Sequence, residues 1–287
     1  MRAVYPPDYC HIAFGGDIIS FPKYAEEVEP LYLYYLLGQK NFRRNLQYRA
    51  AHVIDNFGSA LFGYITIYIW KAAGTTRPAV GDYTVEMLVL WAAMGQVLFH
   101  FSVNAAHGLG IQGTVRNGAV VTDFLRPMNY FFYITSREAG QQFYNLFYRS
   151  APIFVLYAVT VGYHVPALPS LALFVPAALI ALYVCLCVSY LVGLSSFITV
   201  DNRWATRLNM ALFIAMSGYI MPTDLLPGGK YLRLTPWAVM AHYPNRIYFG
   251  LDGIKGLTVP LIWSAALTGL CLWATHRARR SLEVQGG

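Results

Sequence analysis

The sequence predicts an all-α integral membrane protein. Six transmembrane helices are preceded by an amphipathic interfacial helix, with a cytoplasmic hairpin within the bundle and an external re-entrant region near its end. Three observations predict this. Only 12% of the 287 residues are charged and 56% are hydrophobic, whereas soluble domains carry about 25% charged residues. Ser150 to Val200 is a run of 51 residues without Asp, Glu, Lys or Arg, enough for two spans of about 20 residues and a turn. Lys and Arg also gather at alternate span ends, which sets an orientation.

Residues 1–30 are polar and contain proline, without the apolar core of a signal peptide, and are expected to form a cytoplasmic tail. In residues 31–52, LYLYYLLGQKNFRRNLQYRAAH, helical spacing puts Leu31, Tyr35, Phe42 and Leu46 on one face, continued by Val53. Lys40, Arg43, Arg44 and Gln47 lie opposite, and Arg49 intrudes on the apolar side. A basic helix bearing aromatics suits the headgroup plane. The membrane-spanning body covers 53–276, with helices expected over 53–71, 84–105, 143–163, 170–198, 206–222 and 257–275. His164-Val165-Pro166 and Pro169 divide the uncharged run, and Pro176 can kink the fourth span. Region 223–256 mixes apolar residues with Pro, Gly and charges, and is expected as short helices dipping back toward the bilayer. Residues 277–287 form the tail.

With the N-terminus inside, 15 of the 21 basic residues fall on the cytoplasmic side, three of them in the tail HRARR. Six fall outside: Lys71, Arg77, Lys230, Arg233, Arg246 and Lys255. Both termini are therefore expected in the cytoplasm, and the chain in a plasma membrane of the bacterial inner type. Membrane lipid is an expected partner and nucleic acid is not. Three of the four cysteines, Cys185, Cys187 and Cys271, lie in apolar stretches where cysteine acts as a small hydrophobe, so no metal site is expected.

Residues 108–113, GLGIQG, fit the dinucleotide-binding spacing G-x-G-x-x-G. That spacing signals a cofactor only between a strand and a helix of a βαβ unit. Here it follows an expected membrane helix, so Gly108, Gly110 and Gly113 are read as turn residues that let the chain leave the bilayer. PGGKY at 227–231 lacks the spacing and hydroxyl residue of a phosphate-binding loop. No cofactor is expected on this chain. Beyond the glycines, the 106–142 hairpin is expected to hold a helix from about Val115 to Leu125, ended where Pro127 biases Arg126 out of the helical region. A second helix is expected from near Met128 into the third span.

Four segments resemble the permeases of ATP-binding cassette (ABC) exporters of the second type, in their six-span subfamily. They are NFRRNLQYRAAHVIDNFGSALFGYITIYIWKA (41–72), GTVRNGAVVTDFLRPMNYFFYITSREAG (113–140), SGYIMPTDLLPGG (217–229) with TPWAVMAHYPNRIYFG (235–250), and RRSLEVQGG (279–287). The second carries the family's Asp-x-Leu-Leu-Arg-Pro block as Asp123-Phe124-Leu125-Arg126-Pro127, with Phe124 in place of Leu. The resemblance implies a permease that dimerises with an identical or related chain. A cytosolic ABC ATPase dimer, which binds the ATP and magnesium, docks beneath it. The hairpin would be the coupling helix, with Arg116, Asp123, Phe124, Arg126 and Pro127 at the ATPase contact. Residues 1–30 lie outside the resemblance.

Ionisable and aromatic side chains at membrane depth mark a candidate translocation path: Asp55, Tyr64, Tyr68, Gln96, His100, Tyr183, Tyr190 and Tyr219. An aromatic path suits a hydrophobic or cationic amphiphile. Asp55 and Arg149, near the inner ends of the first and third spans, are placed to pair with each other. His100 is equally a histidine hydrogen-bonded between packed helices. The alternative functional readings are a membrane-embedded enzyme and an uncoupled channel or structural membrane subunit.

Overall fold

A computed structural model describes residues 9–14, 17–22, 30–76, 79–102, 108–126, 128–199 and 201–285. Pro127 and the final Gly-Gly pair lie outside the described residues. Within the expected N-terminal tail, β1 (Tyr9–Phe14) and β2 (Asp17–Pro22) pair antiparallel, Tyr9 opposite Pro22 and Phe14 opposite Asp17.

The expected interfacial helix is α1 (Pro30–Asn45), followed by a 3₁₀ turn and then α2 (Arg49–Gly74). α1 packs along α6 (Tyr130–Asn145). Its packed face matches the apolar face that spacing gives only in part, at Phe42. Leu37, Gly38, Asn41 and Phe42 meet α6, whereas Tyr32 and Tyr35 are exposed; Lys40, Arg43, Arg44 and Gln47 are turned outward or half-exposed as expected. The phase is set by a backbone crossing: a Cβ on Gly140 would overlap the Gly38 carbonyl. Asn41 Nδ2 beside it donates to the Arg137 carbonyl at 2.7 Å.

The two-residue strands β3 (Ala79–Val80) and β4 (Tyr83–Thr84) link α2 to α3 (Val85–Ser102). The hairpin follows as α4 (Ile111–Arg116) and α5 (Val120–Phe124). The expected single helix over 115–125 is split because Gly118 adopts φ +74°, which ends α4. α6 is capped by Asn129, whose Oδ1 accepts from the Phe131 amide at 3.0 Å. It runs through a π turn (Leu146–Ser150) into α7 (Ala151–Thr160).

α8 (Leu168–Leu194) accommodates Pro176 and is followed by α9 (Ser196–Thr199) and α10 (Arg203–Met216). The expected fifth span reached residue 222. α10 stops earlier because Gly218 turns the chain at φ +76°. Residues 223–257 fold as short helices, including α11 (Gly229–Leu232), α12 (Pro236–Val239) and α13 (His242–Tyr248). Ala238, Val239, Met240 and Ala241 of this region are buried in the core, against α8 and α10. α14 (Thr258–Gln285) continues as helix well past the expected end at 275.

Successive long helices alternate in direction. Asp55 of α2 meets Arg149 and Tyr64 meets Thr160, so α2 and α7 run parallel. Tyr183–Thr268 and Tyr190–Thr275 hydroxyl pairs, both at 2.6 Å, align α8 with α14. The hairpin, the 201 turn and the end of α14 thus share one end of the bundle; β3–β4 and the 217–257 segment cap the other. Three helical segments, Val85–Ser102, Leu168–Thr199 and Ile254–Arg280, are long and apolar enough to cross a membrane. Of the other expected spans, α10 has 14 residues and α7 has 10. α2 has 26, but its apolar run is broken by Asp55, Gly58, Gly63 and Lys71.

Candidate functional site

The hairpin leaves the bundle through Gly108, Leu109 and Gly110, all left-handed, at φ +71°, +53° and +73°. Two of the three are glycines, for which this conformation carries no steric penalty. Gly108 also lies against Gly193 of α8, where a Cβ on Gly193 would overlap the Gly108 carbonyl. The strained Leu109 is fixed by Arg137, whose Nη2 donates to its carbonyl at 2.8 Å. Arg137 also binds Glu138 at 3.0 Å. Burial pushes the Glu138 carboxyl upward, against the lowering pull of Arg137. Gln112 Nε2 ties the hairpin to the 201 turn through Asp201 at 3.0 Å.

The hairpin residues singled out from sequence divide by direction. Asp123 is buried and takes a hydrogen bond from Arg126 Nε at 3.2 Å. Arg126 also lies over the Tyr133 ring, 4.8 Å from its centroid. Phe124 stacks on Tyr130 at 4.3 Å and meets Phe197 edge-on at 6.0 Å. Asp123 and Phe124 therefore brace the hairpin onto the bundle, while Arg116 points out. The outward apolar residues are ones the motif did not single out, Val121 and Leu125, the latter 79% exposed. They sit at i and i+4, a spacing that would have identified them once the helix start at Val120 was known.

The intramembrane candidates also separate. Arg149, in the π turn, binds Asp55 at 2.7 Å; the arginine is 11% exposed and the carboxylate 58%. Ser150 Oγ donates to the Val97 carbonyl at 2.9 Å, anchoring the π turn one helical turn from His100. His100 Nε2 and Arg149 Nε are buried without a hydrogen-bond partner among the described residues. Gln96 is buried where α3 crosses Gly63 of α2. Tyr183 and Tyr190 join α8 to α14, and Tyr219 stacks on Phe99 at 5.0 Å and on Phe213 at 5.7 Å. Tyr64 bonds Thr160 at 2.5 Å. Tyr68 is exposed, with the Lys71 ammonium 5.2 Å from its ring centroid. The structure thus brings Asp55, Arg149 and Ser150 together, and places Tyr183, Tyr190 and Tyr219 in packing contacts.

Sequence reading singled out no cluster at the cap, yet one is there. Arg246 grips Asp252 through Nε at 2.6 Å and Nη2 at 3.0 Å. Its Nη1 reaches Asp224 at 2.6 Å and the Tyr83 hydroxyl at 2.8 Å. Tyr83 in turn donates to Asp224 at 3.0 Å. Burial pushes the Tyr83 phenol up, keeping it a donor. Beneath this latch His242 is fully buried, its Nδ1 accepting from the Thr223 amide at 3.3 Å. Burial lowers the imidazole to about 4, with Asp224 pulling the other way. The folded cap thus keeps His242 neutral at a pH where the unfolded chain, titrating near its ordinary value of about 6.5, takes up a proton. The resulting stability is complete above about pH 6.5 and is lost as pH falls toward 4. Thermal unfolding in detergent should show wild-type stability dropping by on the order of 1–2 kcal/mol between pH 7 and pH 5. His242→Gln should flatten that drop, and parallel pH profiles would refute the assignment.

A family model described as an ABC-2 family transporter protein matches residues 57–286, from α2 through α14. A comparison with curated proteins found no match.

Proposed function

This chain belongs to the ABC-2 transporter family, a premise from which we propose that it forms the substrate pathway of an exporter and couples to separate cytosolic ATPase subunits. The family makes it the membrane permease component of an ABC transporter. The finer reading is six passes with both termini cytoplasmic, in a plasma membrane of the bacterial inner type. The permease pairs with an identical or related chain, and the ATPase dimer holds ATP and magnesium.

The observation that carries the coupling reading is the hairpin itself. It is a compact unit, held by Arg137 and Gln112 at its base, that presents Arg116, Val121 and Leu125 outward at one end of the bundle. A coupling element needs discrete positions that nucleotide state can bias. A braced helix pair between left-handed residues at 108–110 and the Asn129 cap meets that need. Val121 and Leu125 would seat in an ATPase groove, with Arg116 at its rim. Asp123, Phe124 and Arg126 act from behind by keeping the unit rigid. Pro127, beside them, would end the unit.

The path is proposed along α2. Ile54, Phe57, Leu61, Ile65 and Tyr68 form an exposed stripe, and Asp55 is half-exposed beside it. A second permease facing this stripe would enclose a lumen of aromatic and aliphatic walls with a carboxylate at its inner mouth. Such a lumen suits a hydrophobic or cationic amphiphile.

The test is affinity purification of the full-length chain in mild detergent from cells that supply its ATPase. An ATPase should co-purify, and its hydrolysis should rise with lipophilic cations but not with anionic glycans. Leu125→Glu, an exposed position that leaves the fold intact, should weaken retention about tenfold, the loss of one interfacial anchor. Wild-type retention in that variant would remove the hairpin from the interface. A chain that purifies alone and conducts ions would be an uncoupled channel instead.

A further inference from the structure

α8 and α14 run side by side to the Tyr190–Thr275 hydroxyl pair. Beyond it they separate, because α8 ends at Leu194 and the chain turns through α9. The gap is a groove of about 770 Å³. One wall is apolar: Leu191, Phe197 and Ile198, the last 86% exposed. The other is a single face of α14, where Trp273, Arg277 and Arg280 recur at i, i+4 and i+7. None of the residues that line the groove is a carboxylate.

We propose that this groove holds one anionic glycerophospholipid. Its acyl chain lies against Leu191 and Trp273, and its phosphate on Arg277 and Arg280 beside Ile198. The depths agree. α8 and α14 belong to segments apolar enough to cross a membrane, and tryptophan settles at the edge of the hydrocarbon. Arg277 and Arg280 lie about 6 and 10 Å further along the helix, and each leaflet's polar zone is about 5–8 Å deep. The guanidiniums therefore stand at phosphate level, with Trp273 and Leu191 on their hydrocarbon side and Phe197 and Ile198 level with them. Two guanidiniums from one helix face offer a fork of donors to a phosphodiester. An amphiphile with one charged end satisfies both walls; a free anion satisfies only the arginines. The inference does not depend on an ATPase partner.

The full-length chain, reconstituted in vesicles of equal parts phosphatidylglycerol and phosphatidylcholine, is extracted in mild detergent and its retained lipids counted by native mass spectrometry. One phosphatidylglycerol per chain should be retained, preferred about thirtyfold over phosphatidylcholine, as two interfacial arginines allow. R277Q/R280Q should lose that preference, and R277K/R280K should keep most of it. Ile198→Glu, which sets a carboxylate beside the phosphate, should also release the lipid although both arginines remain. Unfolding temperatures of all variants should match wild type. Undiminished phosphatidylglycerol retention in R277Q/R280Q would overturn the proposal. So would displacement of the lipid by millimolar inorganic phosphate, which would make the site an anion site only. A retained mass that proves to be a polypeptide would mark the groove as a protein interface and would overturn it equally.

Discussion

Arg246→Ala is expected to destabilise the chain by about 3–5 kcal/mol, the range for removing one partner of a buried ion pair. The arginine makes contacts of 2.6–3.0 Å with two carboxylates and a phenol. Without it, Asp224 and Asp252 remain as largely enclosed carboxylates, and Arg233, 3.8 Å from Asp224, is too distant to replace it. Arg246→Lys should recover little, because one ammonium cannot hold Asp252 with two donors and reach Asp224 and Tyr83 as well. Adding Asp224→Asn and Asp252→Asn to Arg246→Ala should restore part of the loss, since no uncompensated charge is then left behind. Thermal unfolding of the purified chain in detergent checks this, and an unchanged midpoint for Arg246→Ala would mean the latch contributes nothing.

Gly95→Ala should cost about 3 kcal/mol, the upper end of the range for overpacking. A methyl there would overlap the carbonyl oxygen of Tyr219, and the obstacle is backbone. It cannot swing away as a side chain can, because Trp91 Nε1 holds the adjacent Gly218 carbonyl at 2.7 Å. Small residues at helix crossings serve this close approach. Gly58→Ala and Gly269→Ala are the internal controls. Nothing among the described residues lies within 4 Å of a Cβ at either site, so both should be neutral or gain up to about 1 kcal/mol from helix propensity. If Gly95→Ala unfolds at the same temperature as Gly58→Ala, the α3 crossing is looser than described.

Much of the bundle was legible because apolar length is a one-dimensional property. The uncharged run 150–200 contains α7, α8 and α9 within it, broken at 161–167 where His164 and Pro166 fall. The Asp55–Arg149 pair was legible too, since each charge was expected near the inner end of its span. Helix phase was not. Gly118 divides the hairpin, so the rotation of α5 restarts at Val120, and the motif residues Asp123 and Phe124 face the bundle while Val121 and Leu125 face away. For the same reason spacing gave α1 an apolar face but not its partner; the Gly38–Gly140 contact that sets the rotation lies between residues 102 positions apart. The Arg246 latch was hidden because Tyr83 lies 163 residues from Arg246. Local patterning holds no trace of such a pairing. The β1–β2 hairpin escaped because its strands, YCHIAF and DIISFP, mix polar and apolar residues without clean alternation.

From Tyr130 to Thr160 the chain is one unbroken rod of 31 residues, about 46 Å long. Its only irregularity is the π turn, pinned to α3 by Ser150 and to α2 by Arg149. A rod pinned part-way along is a seesaw. The arm on the hairpin side has 16 residues and the far arm has 10, so a 2 Å nudge at Asn129 would arrive at Thr160 reversed in direction and reduced to about 1.3 Å. The fulcrum has an ionic pin, and neutralising Asp55 would leave the rod held there by Ser150 alone.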